Sequence, residues 1–209
     1  MKKIYLVRHG QTDANASNIL QDGTATLSEK GFQQAAALTE RLKHLPFDHL
    51  LVSDYERTRQ TVSPLLPYIS VVPMYTPLVR ETKRPSQFAG LSNELQAFLD
   101  YCDESDIHIS DPDWRFEDEE NFHDVVARVK NFFAHIDTLE GDTVVVTHGR
   151  FIIYVILSVI SNFKLDEEMW VKCRHGFETY NTGISMLGFN EKRSNWKLLS
   201  YNDRAHFAE

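Results

Sequence analysis

The stretch that most constrains this chain is its opening, where Lys3-Ile4-Tyr5-Leu6-Val7 runs straight into Arg8-His9-Gly10 and then Gln11-Thr12-Asp13-Ala14-Asn15. Apolar, β-branched and aromatic residues over that length predict a strand, and Thr12, Asp13 and Asn15 are residues that cap a helix start. Strand, tight turn and helix start make up the βα junction of an open α/β sheet. Ligands sit at the carboxyl ends of such strands, where a helix N-terminus offers unpaired N–H groups. Arg8 adds a permanent cation whose fork matches a phosphate, and His9 adds a nitrogen that is neutral and nucleophilic near neutral pH. Arg-His-Gly alone decides little, since a buried imidazole and a surface guanidinium can be chance neighbours.

The same junction returns twice. Leu50-Leu51-Val52 reads as a short buried strand, followed by Ser53-Asp54-Tyr55-Glu56, which has the pattern of a capping box and opens a helix carrying Arg57, Arg59 and Gln60. Thr143-Val144-Val145-Val146-Thr147 is the clearest buried strand, and it delivers His148-Gly149 into a helical run from Phe151 to Ile160. Between these lie a polar loop from Asn18 to Ala25, a helix capped by Ser28 and running from Glu29 to Leu45, a third strand over Ser70–Met74, and a helix over Phe122–Ile136 closed by Gly141. Gly183–Phe189 and Trp196–Tyr201 complete the strands. Alternating strands and helices with no internal repeat predict one α/β domain over residues 1–209. The expected form is a three-layer sandwich, a mostly parallel central sheet with helices on both faces. Residues 82–124 depart from the alternation and turn strongly acidic from Asp103 onward; they are expected to form a loop and helical excursion near the site.

Charge narrows the function. With 22 Lys and Arg against 30 Asp and Glu, the net charge of -8 argues against a nucleic-acid or anionic-membrane partner, so affinity for phosphate must come from a local cluster of cations. The longest apolar run, Phe151–Ile160, is too short to span a bilayer, and the N-terminus lacks a basic-then-apolar leader. Cys102 and Cys173 lie far apart without a pairing pattern, which with the missing leader predicts free thiols and a cytoplasmic location. The nine histidines lack metal-type spacing, so neither a metal nor another cofactor is expected.

If the strands ending at Val7, Val52 and Thr147 lie side by side and parallel, Arg8, His9, Arg57 and His148 converge at one edge of the sheet. Cations that repel one another need a dianion among them, and a phosphoryl group is the obvious candidate. Arg59, two residues beyond Arg57, points elsewhere. A second Arg-His-Gly at Arg174-His175-Gly176 has neither a strand before it nor a helix start after it, which leaves it at most at the pocket rim.

Arg8-His9-Gly10 after an N-terminal strand, Ser53-Asp54 leading to Arg57 and Gln60-Thr61, Arg80-Glu81, and His148-Gly149 after a Val-rich strand resemble the histidine phosphatase superfamily, with its phosphoglycerate-mutase-like fold. The matches run in the family's order over roughly residues 4 to 150. The resemblance implies that His9 is the nucleophile that becomes phosphohistidine, that Arg8, Arg57 and His148 bind the phosphoryl oxygens, and that Glu81 is the proton donor. Asn15 matches a position that often contacts the phosphate. Thr12, Gln21 and Gly149 are expected as further contacts to a small phosphorylated substrate, and Lys83 and Arg84 as binders of a second acidic group. Phosphoryl transfer rests on positioning and charge stabilisation, which Arg8, Arg57 and a protonated His148 can supply. The Trp-Asn and Phe-x-Gly-Trp elements of glycolytic phosphoglycerate mutases are missing after Gly10, so a phosphomonoester hydrolase is expected ahead of a mutase or a non-catalytic phospholigand-binding protein.

Overall fold

Alternation along the first strand sorts the molecule into layers. In a computed structural model, which describes residues 1–207, Ile4 and Leu6 of β1 (Lys3–Arg8) belong to one apolar cluster, while Tyr5 and Val7 belong to another on the opposite face. The tetrapeptide helix α1 (Asp13–Ala16) follows the turn, and α2 (Glu29–Leu42), β2 (His49–Ser53), α3 (Glu56–Val62) and β3 (Pro73–Thr76) come next. Helix α4 (Gln96–Ile107) lies in the excursion. Then come α5 (Phe122–Asp137), β4 (Thr143–Thr147), α6 (Gly149–Ile160), α7 (Glu167–Cys173), β5 (Ile184–Asn190) and β6 (Asn195–Asp203). Leu38, Leu42, Val62 and Leu65 cover one face of the sheet, and Val125, Val129, Phe132 and much of α6 cover the other. This is the expected three-layer sandwich.

The six strands run in the order β3-β2-β4-β1-β5-β6. Strands β3, β2, β4 and β1 are parallel, whereas β5 pairs antiparallel with both β1 and β6. Register positions the site: Arg8 is level with Thr147, and Val52 pairs with Val146, so Ser53, Thr147 and Arg8 end three adjacent strands flush. Every residue of β4 is buried, which matches its unbroken apolar run at the centre of the sheet.

Several boundaries differ from the sequence reading. Ser28 caps α2 through Gly31 N–H at 3.1 Å, but the helix stops at Leu42, three residues early. Strand β3 is displaced toward Thr76. The capping box read at Ser53–Glu56 does not form: Tyr55 occupies the N-cap without a side-chain bond, Asp54 pairs with Arg80 through two bonds of 2.5 and 2.6 Å, and Ser53 turns to the site. A capping box that the sequence reading missed opens α5, where Asn121 and Asp124 bond each other's backbone N–H.

The excursion carries a small core of its own, Phe88, Phe98 and Tyr101 with Leu20 and Phe116. Leu20 N–H bonds Leu91 O and Gly90 N–H bonds Leu20 O, each at 2.9 Å, and Ile19 bridges Ser92, so the excursion and the loop after α1 form one wall. Three of its acidic residues are held by ion pairs, Asp118 by Lys83 at 2.8 Å, Glu120 by Arg128 at 2.8 Å and Asp124 by Arg115 at 2.7 Å. Among the described residues no helix is long and apolar enough to cross a membrane.

Helix α2 presses its first turn onto the loop after β1. A Cβ at Gly31 would lie 2.0 Å from Gln11 O, and one at Gly10 would lie 2.7 Å from Gly31 O. The obstructing atoms are backbone, so neither clash relaxes by a rotamer change. Gly31→Ala is expected to destabilise the protein by about 1–3 kcal/mol, read as a lowered urea midpoint with an unchanged m-value.

Candidate active site

The loop after β1 is fixed before any side chain of the site is considered. His9 N–H bonds Thr147 O at 2.9 Å, Gly10 N–H bonds Thr61 Oγ1 at 2.9 Å, Gln11 N–H bonds Gln34 Oε1 at 2.7 Å, and Asn181 Nδ2 bonds His9 O at 2.9 Å. The His9 ring is 2.7 Å from Gly10 O through Nδ1. A carbonyl can only accept, so Nδ1 carries the proton and Nε2 holds a lone pair. Arg57 Nε, 3.3 Å from Nε2, donates to that lone pair. Two independent contacts therefore select the same tautomer.

Around this ring stand two guanidiniums and a second imidazole. Arg57, buried, also bonds Asp22 O at 2.6 Å and lies over the Tyr55 ring at 4.9 Å. Arg8 bonds Thr179 O through Nη1. The His148 ring is 5.1 Å from that of His9, and its Nε2 is 2.8 Å from Ser53 Oγ. Ser53 Oγ also accepts Tyr55 N–H at 3.4 Å, and its hydroxyl keeps both a proton and a lone pair with which to meet His148 Nε2. His148 Nδ1 and Arg8 Nε are both buried without a hydrogen-bond partner among the described residues. Orphaned polar atoms in one cup mark a place built for an acceptor.

Glu81, in the loop segment after β3, is held against the first turn of α6. Its Oε1 accepts Thr82 N–H at 2.9 Å and Phe151 N–H at 3.0 Å, and its Oε2 accepts Arg150 N–H at 3.1 Å. Both lone pairs of Oε1 are thus occupied, and Oε2 keeps one. Gly149 lets the helix come this close: a Cβ there would lie 2.6 Å from Thr179 Oγ1 and 3.3 Å from Arg8 Nε.

Burial and like charge set the protonation states. Burial first, then Arg57 and Arg8, hold His9 well below its usual pKa. Burial, then Arg57, His9, Arg8 and Arg128, do the same for His148. With no anion in the cup, both imidazoles are held toward the neutral form. Burial also lowers Arg8 and Arg57, opposed by the charge of Glu81, yet guanidinium remains the charged form.

The other expected residues fall into two groups. Asn15 lines a cleft of about 350 Å³ with Arg8, Thr179 and Asn181. Gln21 lines a second cleft of about 430 Å³ with Tyr55, Glu81 and Arg84. Thr12 is buried, caps α1 through Asn15 N–H at 3.0 Å and donates to Gln21 Oε1 at 2.9 Å, so it holds those two in place. Lys83 pairs with Asp118, and Arg84 turns to the Tyr101 hydroxyl at 3.3 Å. Arg59 stacks on Tyr75 at 4.0 Å, outside the cup. Arg174 of the second Arg-His-Gly clamps Asp106. The sequence reading makes Ser53 a helix cap and not a partner of His148, and it passes over Asn181. Ser53 stands at a strand end, a position with a signal, whereas Asn181 in the turn before β5 carries none.

An α/β sandwich with an electropositive cup at its parallel strand ends and a tautomer-fixed imidazole on the cup floor defines a class of phosphoryl-binding proteins. The chain belongs to the histidine phosphatase superfamily, branch 1, whose family model matches residues 4–204. It is 26% identical over 192 residues to the adenosylcobalamin/alpha-ribazole phosphatase of Salmonella typhimurium, covering 85% of this chain and 93% of that protein. A Schizosaccharomyces pombe protein named a probable phosphatase is 44% identical over 81 residues, 38% of this chain and 39% of that one. Among solved structures, the mycobacterial glucosyl-3-phosphoglycerate phosphatase in complex with VO3 superposes with a TM-score of 0.80 at 25% identity, over 98% of this chain and 100% of the other. Entamoeba histolytica phosphoserine phosphatase in complex with phosphoserine shares the fold with a TM-score of 0.79 at 22% identity, over 100% of both chains.

The depressed histidines predict an acid-sensitive fold. An unfolded histidine binds its proton near 6.5 and these two bind it only at much lower pH, so stability is complete above 6.5 and falls as pH drops below it. The melting temperature is expected to fall between pH 7 and pH 5, and to fall less in His9→Ala, as read by calorimetry at both pH values.

Proposed function

We propose that the protein is a phosphomonoester hydrolase that requires no metal and works through a phosphohistidine at Nε2 of His9. The observation that carries this reading is the His9 tautomer, with Nδ1–H on Gly10 O and the Nε2 lone pair turned toward Arg57. A phosphate monoester entering the cup meets Arg8, Arg57 and His148, and its dianionic charge raises the affinity of His148 for a proton. Nε2 then attacks phosphorus in line while the P–O bond to the alcohol breaks. Arg8, Arg57 and His148 hold the charge that spreads over the equatorial oxygens. The proton for the departing alkoxide comes from Glu81, whose Oε2 has the free position to carry it. Glu81 next takes a proton from water, hydroxide attacks the phosphohistidine, and the P–N bond breaks to free phosphate and His9.

The guanidiniums and His148 perform the charge neutralisation that a cation performs elsewhere, and among the described residues no three His, Cys, Asp or Glu side chains are grouped as a metal site. Both clefts are of a size for small phosphorylated molecules, and the Entamoeba relative binds phosphoserine. The reading includes a cytoplasmic location, supported by the two free cysteines.

Hydrolysis of an aryl phosphate in excess chelator tests the assignment. The native chain is expected to release phosphate with chelator present. His9→Ala is expected to lose about ten-thousand-fold or more in kcat while keeping a melting temperature close to that of the native chain at neutral pH, the size of loss that follows removal of a nucleophile (about 10⁴–10⁶). Alkaline quenching during turnover should leave phosphate on His9. Full activity in His9→Ala overturns the mechanism, and phosphoryl transfer between two positions of one substrate without free phosphate would mark a mutase.

A further inference from the structure

On the α2 side of the loop after β1 lies a cleft of about 540 Å³ that the reaction does not use, bounded by α2, the turn before β5 and the residues after β6. Two cations line it, Lys30 and Arg204, and among the described residues no carboxylate does. Neither cation has an acidic partner within ion-pair distance among the described residues. In a chain of net charge -8, two unmatched cations facing one cleft suit an anion.

The remaining walls are flat or carry amides. The Arg204 guanidinium lies over the Tyr180 ring at 3.9 Å, and Phe207 lines the cleft with them. Guanidinium and aromatic planes stack on flat rings. Two carboxamides in the lining have their orientation fixed by the loop that carries His9. Gln34 uses Oε1 to accept Gln11 N–H at 2.7 Å, and Asn181 uses Nδ2 to donate to His9 O at 2.9 Å. Gln34 is left with its Nε2 donors and Asn181 with its Oδ1 acceptor. A fixed donor and a fixed acceptor beside a stacking surface match the edge of a nucleobase, which offers the converse pair.

We infer that this cleft binds a mononucleotide, with its base on the Arg204–Tyr180 stack, the base edge toward Gln34 and Asn181, and its phosphate toward Lys30. The inference goes beyond the hydrolase reading and does not rest on it. The volume is that of a site for one small molecule. An extended peptide has no strand to join here, because β5 is already paired on both edges, by β1 and by β6. A bare inorganic anion would leave the amides and the stack without a partner, and an uncharged sugar would leave the cations without one. Gln11, Tyr180 and Asn181 stand between this cleft and the one at Arg8, lining both, so a nucleotide here does not displace a phosphoryl group on His9.

The test uses the full chain and cyclic adenosine monophosphate, a phosphodiester that a monoester hydrolase leaves intact. Calorimetric titration is expected to show saturable one-to-one binding, with a matching rise in melting temperature. Binding should persist when orthovanadate is present to fill the cup, and in His9→Ala, so that it is read whether or not the chain is a hydrolase. Arg204→Met and Lys30→Met keep the aliphatic stems but remove the charges, and each is expected to weaken binding about tenfold or more, as loss of a charge-assisted bond predicts. Aryl phosphate turnover without nucleotide should stay at the native rate in both. No saturable binding, binding abolished by orthovanadate, equal affinity for adenosine or for inorganic phosphate, or an affinity unchanged in either variant would each overturn the inference.

Discussion

Everything at the site depends on the register of three parallel strands. Because Arg8, Thr147 and Ser53 end β1, β4 and β2 at the same level, three βα turns open into one small volume. A slip of one residue in the central strand would turn its buried valines toward the opposite helices and carry His148 away from His9. The apolar clusters on the two faces forbid such a slip. Catalytic geometry is here a by-product of core packing.

Concentrating Arg8, Arg57, His9 and His148 is electrostatically unfavourable, and the structure shows how that cost is managed. The imidazoles give up their protons, and the guanidiniums are anchored on backbone carbonyls, Arg57 on Asp22 O and Arg8 on Thr179 O. Carbonyl anchoring satisfies donors without neutralising charge. The field of two cations is thereby kept for whatever anion enters. The Glu81 carboxylate, by contrast, is held by backbone amides at the start of α6, so its orientation does not depend on any mobile side chain.

The layered fold was legible in the sequence because alternation in β1 and the unbroken valines of β4 have only one economical explanation. Three of the parallel elements and the residues at their ends followed from that pattern. Ser53 was read as a cap because Ser-x-x-Glu is a local signal. Its actual partner is His148, a residue 95 positions away that no local rule can see. Asn181 was missed for the same reason, as it binds His9 O across 172 positions. Arg150 carries no local signal and Arg174 reads only as part of an Arg-His-Gly at most at a pocket rim, and it is the tertiary packing of α6, α7 and the excursion that shows them sharing an enclosure with Arg84.

The bridge between Ile19 and Ser92, with its flanking bonds at Leu20, joins the segment after α1 to the excursion that lines the cleft at Glu81. Recognition and chemistry are therefore mechanically stitched together. Exchanging the excursion for a longer or shorter one would tug on the loop that carries Gln21 and Asp22, and through the carbonyl of Asp22 on the guanidinium of Arg57. Drift toward new ligands in such a scaffold has to proceed by repainting side chains within an inherited outline, because wholesale loop replacement would shift the very cation that bonds the His9 ring.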